Sequence, residues 1–190
     1  MTKTDLFTVQ ELALPGVLLI TPKLFPDARG FAAVTYTTKD FQAIGIAHPF
    51  VQDFMSQSKK DVIRGLHFQR APHVQHKLVH AVQGVILDVA ADIDPESPTY
   101  GTHVSAQLTG DAQEMLYIPG KYAHGFCVMS DEARVEYKLS DTYHPECAGG
   151  VRFDDPLLEI VWPTNIPILS KQDNEWAQLA LAKKESATLK

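Results

Sequence analysis

Val62-Ile63-Arg64-Gly65-Leu66-His67-Phe68-Gln69 reads as one apolar strand that also holds an arginine, a glycine, a histidine and a glutamine. A buried strand normally carries Val, Ile and Phe at this density, not Arg64 and His67 three residues apart. A charged and a titratable side chain in that setting need partners or a task. Strict alternation puts Ile63, Gly65, His67 and Gln69 on one face, and Arg64, Leu66 and Phe68 on the other. Arg64 and His67 then point apart, unless Gly65 forms a bulge that re-aims the residues after it. The plainer reading is a satisfied structural histidine beside a surface arginine.

Outward from this stretch, turn signals recur at short intervals: Pro15-Gly16, Pro26-Asp27, Arg29-Gly30, Gly84, Pro95, Pro98, Gly110, Pro119-Gly120 and Gly149-Gly150. Between them lie short runs rich in Val, Ile, Leu, Tyr and Thr, the pattern of an all-β sandwich or barrel. Strands are expected over Val17 to Thr21, Phe31 to Thr37, His76 to Val82, Val85 to Ile93 and Ala133 to Ser140. In the last of these Tyr137 shares the apolar, inward face with Ala133, Val135 and Leu139. Thr38 to Ile44 suits a short helix. A second helix near the end is capped by Ser170 and packs through Trp176, Leu179 and Ala180. The tail from Lys183 onward reads as frayed.

At 190 residues the chain suits a single domain spanning 1–190. A formal net charge of -6 argues against a nucleic-acid surface. Cys127 and Cys147 lack any paired spacing, so neither a disulfide framework nor a zinc ribbon is expected, and the cytoplasm is the default compartment. The N-terminal residues lack the apolar core of a signal peptide. No apolar run approaches the ~20 residues of a membrane span, so no membrane partner is expected.

Polar groups on inward-facing strands gather at Arg29-Gly30, Arg64 to Gln69, Lys77, Tyr122-Ala-His124-Gly-Phe126 and Tyr137. A barrel lumen holding Arg, His, Lys and Tyr suits an anionic, hydroxyl-rich ligand and proton transfer. His73, His76, His80 and His124 invite a metal reading. No compact His-x-His run with a following Glu supports it, so no metal is expected. Cys127 reads as a small core residue. There is no glycine-flanked serine elbow and no phosphate-cradling glycine loop.

Thirteen motifs occur in order: Phe25-Pro-Asp-Ala-Arg29-Gly30, Phe50-Val-Gln52-Asp53, Ser56-Gln-Ser58, Arg64-Gly-Leu-His67-Phe-Gln69, Gln75-His-Lys77-Leu, Asp88-Val-Ala-Ala-Asp92, Ser97-Pro-Thr-Tyr-Gly101, Ile118-Pro119, Ala123-His124-Gly-Phe126, Tyr137-Lys138, Asp154-Asp-Pro156, Trp162-Pro163 and Leu169-Ser-Lys-Gln-Asp173. Over about residues 10–176 the chain resembles the dTDP-4-dehydrorhamnose 3,5-epimerases. The resemblance implies a mainly β, cupin-type double-sheet barrel (a jelly roll) with a short C-terminal helical segment. It implies a cofactor-free and metal-independent enzyme acting on a nucleotide-linked 4-keto-6-deoxyhexose. It also implies a homodimer in which an N-terminal strand crosses to the partner.

By the same resemblance His67 is the base, Asp173 orients it, Tyr137 is the acid on the opposite face, and Lys77 steadies the enolate oxygen. His124 matches a sugar-pocket residue near the ketone, and Gln69 shares the face of His67. Arg29 and Arg64 match diphosphate and sugar contacts. Phe25, Gln52 and Tyr143 match nucleoside contacts. Taken singly, Asp173 also suits a helix first turn, Tyr137 a core tyrosine, Lys77 a solvated strand lysine, and the arginines surface ion pairs.

Two positions depart from the pattern: Val34 stands where a glutamate is usual, and Phe54-Met55 stand where Asn-His is usual. Val34 and Phe54 are therefore expected in the sugar pocket as apolar replacements. Two alternatives stay open. One is a single-centre epimerase acting on a deoxygenated or CDP-linked 4-keto sugar. The other is a non-catalytic or metal-dependent cupin that binds a small anion.

Overall fold

The computed structural model describes residues 2–179. The first elements are β1 (Thr2–Lys3), β2 (Phe7–Glu11), β3 (Leu18–Pro22), β4 (Leu24–Asp27), β5 (Gly30–Ala33), α1 (Thr38–Ala43) and β6 (Gln52–Lys59). Then follow β7 (Ile63–Gln69), β8 (Lys77–Gln83), β9 (Val85–Asp92), β10 (His103–Thr109), β11 (Met115–Ile118), β12 (Tyr122–Val128), β13 (Glu132–Leu139), β14 (Ala148–Gly150) and α2 (Lys171–Glu175).

The strands build a double-sheet jelly roll. A seven-stranded sheet runs β1-β2-β3-β11-β8-β13-β6 and a five-stranded sheet runs β10-β9-β12-β7-β14. β4 and β5 form a separate hairpin. Alternation aims Val79, Ala81, Val135 and Tyr137 of the larger sheet at Ile86, Ala90, Phe126 and Val128 of the smaller one. A second cluster on the outer side of the large sheet joins Phe7, Val9, Ile20 and Leu78 to Phe41 and Ile46. A third, outside the small sheet, joins Leu66, Val89 and Ala123 to Val151 and Leu158. A fully buried leucine such as Leu66 contributes about 1.5–3 kcal/mol through its removal from water.

Register places the polar residues at one end of the lumen. On the small sheet His67 lies between His124 of β12 and Gly150 of β14. On the large sheet Tyr137 lies between Phe54 of β6 and Val79 of β8, and Leu139 pairs with Lys77.

The strict alternation expected for the opening stretch does not hold. His67 pairs with His124, but Arg64 pairs with Phe126, so three steps on β7 match two on β12. This bulge lies at Gly65, whose φ of 130° suits glycine. Arg64 and His67 consequently face one cavity, while Leu66 turns into the third cluster.

Two other expectations are corrected. The strand expected over Phe31 to Thr37 ends at Ala33, because Val34 and Tyr36 turn to pack on the second cluster and Thr37 caps α1. Thr37 Oγ1 accepts the Asp40 backbone N–H at 3.1 Å. The C-terminal helix is only five residues long. Its packing stripe does not form, because Trp176 is extended (φ -60°, ψ 146°) and turns into the cavity while Leu179 joins the third cluster. Ala180 and the tail from Lys183 lie outside the described residues.

Candidate active site

A cavity of about 500 Å³ opens between the sheets. One wall carries Arg64, His67, Gln69 and His124, the other Gln52, Phe54, Lys77 and Tyr137, and Tyr143 and Asp173 complete the rim. Ten of the thirteen expected site residues therefore line it: Gln52, Phe54, Arg64, His67, Gln69, Lys77, His124, Tyr137, Tyr143 and Asp173.

His67 Nε2 lies 2.5 Å from Asp173 Oδ1. The Asp173 carboxylate only accepts, so the Nε2–H donates and Nδ1 keeps the lone pair of a base. Asp173 is fixed by its own helix cap. Its backbone N–H donates to Ser170 Oγ at 3.0 Å, and Ser170 Oγ donates to Asp173 Oδ2 at 2.8 Å. Burial pushes this carboxyl up, but His67 first, then Ser170 and the neighbouring Trp176 indole, outweigh burial and hold it below its ordinary value. Asp173 therefore stays ionised, as an orienting partner must.

Across the cavity Tyr137 is buried, 5.9 Å from the His124 ring and 5.6 Å from the Phe54 ring. Burial, and next the Asp88 carboxylate, push its phenol well above the ordinary range, so the hydroxyl keeps its proton. Lys77 is buried, and burial lowers its ammonium to about 8. Its Nζ donates to Gln75 O at 3.4 Å, which leaves donors for a ligand oxygen. Arg64 is anchored by Nε donating to Ser58 Oγ at 2.9 Å.

Other expected residues have different surroundings. The Gln69 side chain is spent on the loop over the cavity. Its Nε2 donates to His73 O and Thr142 O at 2.8 and 3.1 Å, and its Oε1 accepts the His144 backbone N–H at 2.8 Å. It therefore positions the loop that carries Tyr143. Phe25 and Arg29 sit on the β4–β5 hairpin, away from this cavity, and Arg29 pairs with Asp27 at 2.6 Å. Val34 packs in the second cluster, not in the cavity.

Two contributors lacked an assigned role. Asp88 is fully buried and bonded to His124 Nε2 at 2.7 Å, so it fixes the His124 ring. Its signal was legible, as the acid inside the apolar run Val85 to Ile93. Trp176 lines the cavity beside His67, and nothing in the spacing marks it, because only the break after α2 turns it inward.

The described residues contain one group of potential metal ligands, His73, Asp141 and His144. The two rings stack 3.4 Å apart and 9° from parallel. Ligand lone pairs lie in the ring planes, and these planes are nearly parallel, so the two nitrogens do not converge on one point. His73 Nδ1 instead bonds Asp141 Oδ2 at 3.0 Å, and His144 Nδ1 bonds Glu146 Oε1 at 3.1 Å.

The family model for dTDP-4-dehydrorhamnose 3,5-epimerase matches residues 11–180. The enzyme of that name from Shigella flexneri is 44% identical over 166 residues, covering 87% of this chain and 92% of that one. The crystal structure of the dTDP-6-deoxy-D-glucose-3,5-epimerase of Legionella pneumophila, in complex with dTDP-4-keto-L-rhamnose, aligns with a TM-score of 0.89 and 38% identity. It covers 94% of this chain and 96% of that one. NovW, a 4-keto-6-deoxy sugar epimerase of Streptomyces spheroides, aligns with a TM-score of 0.90 at 35% identity, covering 98% and 94%. The match spans both sheets and every residue of the cavity: the chain belongs to the dTDP-4-dehydrorhamnose 3,5-epimerase family.

Proposed function

We propose that this protein is an epimerase of a nucleotide-linked 4-keto-6-deoxyhexose, most simply dTDP-4-dehydro-6-deoxy-D-glucose, acting at C3 and C5. One observation carries the reading: a base and an acid face each other across the cavity, with a cation beside them. His67, oriented by Asp173, stands on the small sheet, and Tyr137 and Lys77 stand on the large one.

The chemistry follows from the ketone. Hydrogens on C3 and C5 are acidic because the C4 carbonyl accepts the electrons that deprotonation leaves behind. His67 Nδ1 takes one such proton. Lys77 stabilises the oxygen as it becomes an enolate, which is where a preorganised cation lowers the barrier most. Tyr137, protonated at neutral pH, returns a proton to the other face and inverts the centre. Asp173 holds the imidazolium that forms in between. Arg64, at the cavity edge, suits diphosphate oxygens.

The same reading includes a homodimer. Phe25 and Phe31 are 44% and 48% exposed on the hairpin that carries Arg29. A second copy accepting this hairpin covers the two rings and brings Phe25 and Arg29 to the partner's nucleotide. A cytoplasmic location suits a sugar-nucleotide substrate and two buried, unpaired cysteines.

The test is incubation with dTDP- and CDP-linked 4-keto-6-deoxy sugars in deuterated water, followed by NMR at C3 and C5. Deuterium at both centres with inversion is expected. Exchange at C3 alone indicates a single-centre enzyme, and no exchange with any 4-keto sugar nucleotide refutes the reading.

A further inference from the structure

Trp176 occupies a constrained place. α2 stops at Glu175, and the extended backbone of Trp176 swings its indole back over the sheet. The ring lies on Gly150. A Cβ built there falls 2.3, 2.4 and 2.5 Å from Cε2, Nε1 and Cδ2 of the indole, so any side chain at this position collides. Gly150 is also the strand neighbour of His67, and the indole meets the His67 ring edge-on at 6.4 Å and 69°.

The flanking chain is pinned on both sides. Arg152 Nη1 donates to Asn174 O at 2.9 Å, and the Arg152 backbone N–H donates to Ala177 O at 3.2 Å. The Leu179 N–H donates to Asp155 Oδ2 at 2.5 Å. The indole therefore has little freedom to leave.

Within this fixed setting the Trp176 Nε1–H is buried and makes no hydrogen bond of ordinary geometry. An unpaired buried donor is costly and calls for a reason. The nearest carboxylate in reach of its influence is Asp173, three residues earlier and lining the same cavity, which the indole helps hold below its ordinary value after His67 and Ser170. Ser170 already occupies Oδ2 and His67 occupies Oδ1.

We propose that Trp176 is a positioning residue for the His67–Asp173 pair: its indole, held on Gly150, walls the base in place and turns its N–H to the carboxylate as a third donor beside the His67 N–H and the Ser170 hydroxyl. The inference rests on the epimerase reading for its kinetic consequence, but not for its geometry. Three donors spread the carboxylate charge and moderate its pull on the His67 proton. With one removed, Asp173 holds that proton more tightly, a change that the acid limb of the rate profile reads. The other titratable or charged groups facing the pair across the cavity are Arg64, Lys77, His124, Tyr137 and Tyr143, and none of them changes in this comparison.

Trp176→Phe keeps an aromatic wall and deletes the N–H. Its exchange kinetics are measured across pH, with folding checked by circular dichroism and thermal unfolding. The acid limb of kcat/KM should move up by about half a unit to one unit, and the plateau should fall about tenfold.

A second measurement leaves Trp176 intact. The chain has two tryptophans, so Trp162→Phe makes Trp176 the sole indole emitter. A protonated imidazole quenches a neighbouring indole. Emission should fall as pH drops, with the midpoint of the kinetic acid limb, and His67→Asn should abolish that titration. A folded Trp176→Phe enzyme with an unmoved acid limb overturns the proposal, as does a titration that survives His67→Asn. If the unaltered protein exchanges no sugar nucleotide, the epimerase reading fails separately. The fluorescence titration, which needs no substrate, then decides the case of Trp176.

Discussion

Lys77 should make activity and stability move in opposite directions above neutral pH. Its ammonium is buried, and burial alone lowers its pKa from the ordinary 10.5 to about 8. That gap is a burial cost of about 3 kcal/mol on the charged form. The proposed chemistry needs the charged form, because a neutral amine gives an enolate oxygen little relief. In the free enzyme kcat/KM should therefore have a basic limb near pH 8, falling about tenfold per further unit. Bound substrate adds negative charge beside Nζ, so the limb in kcat should lie at higher pH. Stability goes the other way. Between pH 8 and 10.5 the unfolded chain still binds a proton that folded Lys77 has released, so the unfolding free energy rises with pH. Lys77 contributes up to about 3 kcal/mol to that rise. The assay pairs a pH–rate profile with urea unfolding at each pH. Lys77→Arg, charged throughout, should lose the basic limb. Lys77→Gln should lower kcat by about 10²–10³ at every pH, as loss of an oxyanion donor does. A profile flat to pH 10, or activity and stability falling together, refutes the assignment.

Other outcomes follow from the same geometry. His67→Ala should stop deuterium exchange at both centres, a loss of about 10²–10⁴, with unfolding unchanged; NMR in deuterated water checks both centres at once. Tyr137→Phe deletes one proton donor and keeps the ring, so exchange at one centre at least should survive while net inversion falls sharply. Gly65→Ala places a Cβ 2.5 Å from Gly125 Cα at a φ of 130°, and thermal unfolding should show a loss of about 2–4 kcal/mol. Phe54→Asn puts an amide in the cavity beside Tyr137 and should raise kcat/KM for the fully hydroxylated sugar relative to one lacking a ring hydroxyl by about 10–200-fold. An unchanged ratio removes Phe54 from specificity.

Most of the barrel was legible because its strands obey period two. Ala133, Val135, Tyr137 and Leu139 face the lumen as their alternation demands, which brings Tyr137 into the cavity. The role of Asp173 was hidden in part, because an acid in a helix first turn has a sufficient local reason to be there. Only the fold shows it serving both the Ser170 cap and His67 across 106 residues of chain. Val34 was expected in the sugar pocket from its place in a motif. Motif position records distance along the chain, but the backbone leaves β5 at Ala33 and carries Val34 onto the outer cluster. Val34 is half-buried outside the cavity, so Phe54 carries the specificity argument alone. Gln69 shares the face of His67, yet its amide holds backbone, a distinction no pattern of residue types can draw.

The opening stretch shows why alternation fails where the chemistry sits. This strand presents both Arg64 and His67 to one cavity, although an odd spacing sends them to opposite faces. The bulge at Gly65 resolves this conflict by adding a residue without a side chain. Its partner must be bare as well: a Cβ on Gly65 meets Gly125 Cα at 2.5 Å and His124 O at 2.7 Å, and one on Gly125 meets Arg64 O at 2.8 Å. Gly65 and Gly125 thus form one device from two strands, and His124 immediately precedes the second glycine. Leu66, freed from the lumen by the same extra residue, anchors the strand in the outer cluster, fully buried. The distortion that aims His67 is therefore held from behind by apolar packing. That is why the departure from period two adjoins well-buried residues and not a loose edge.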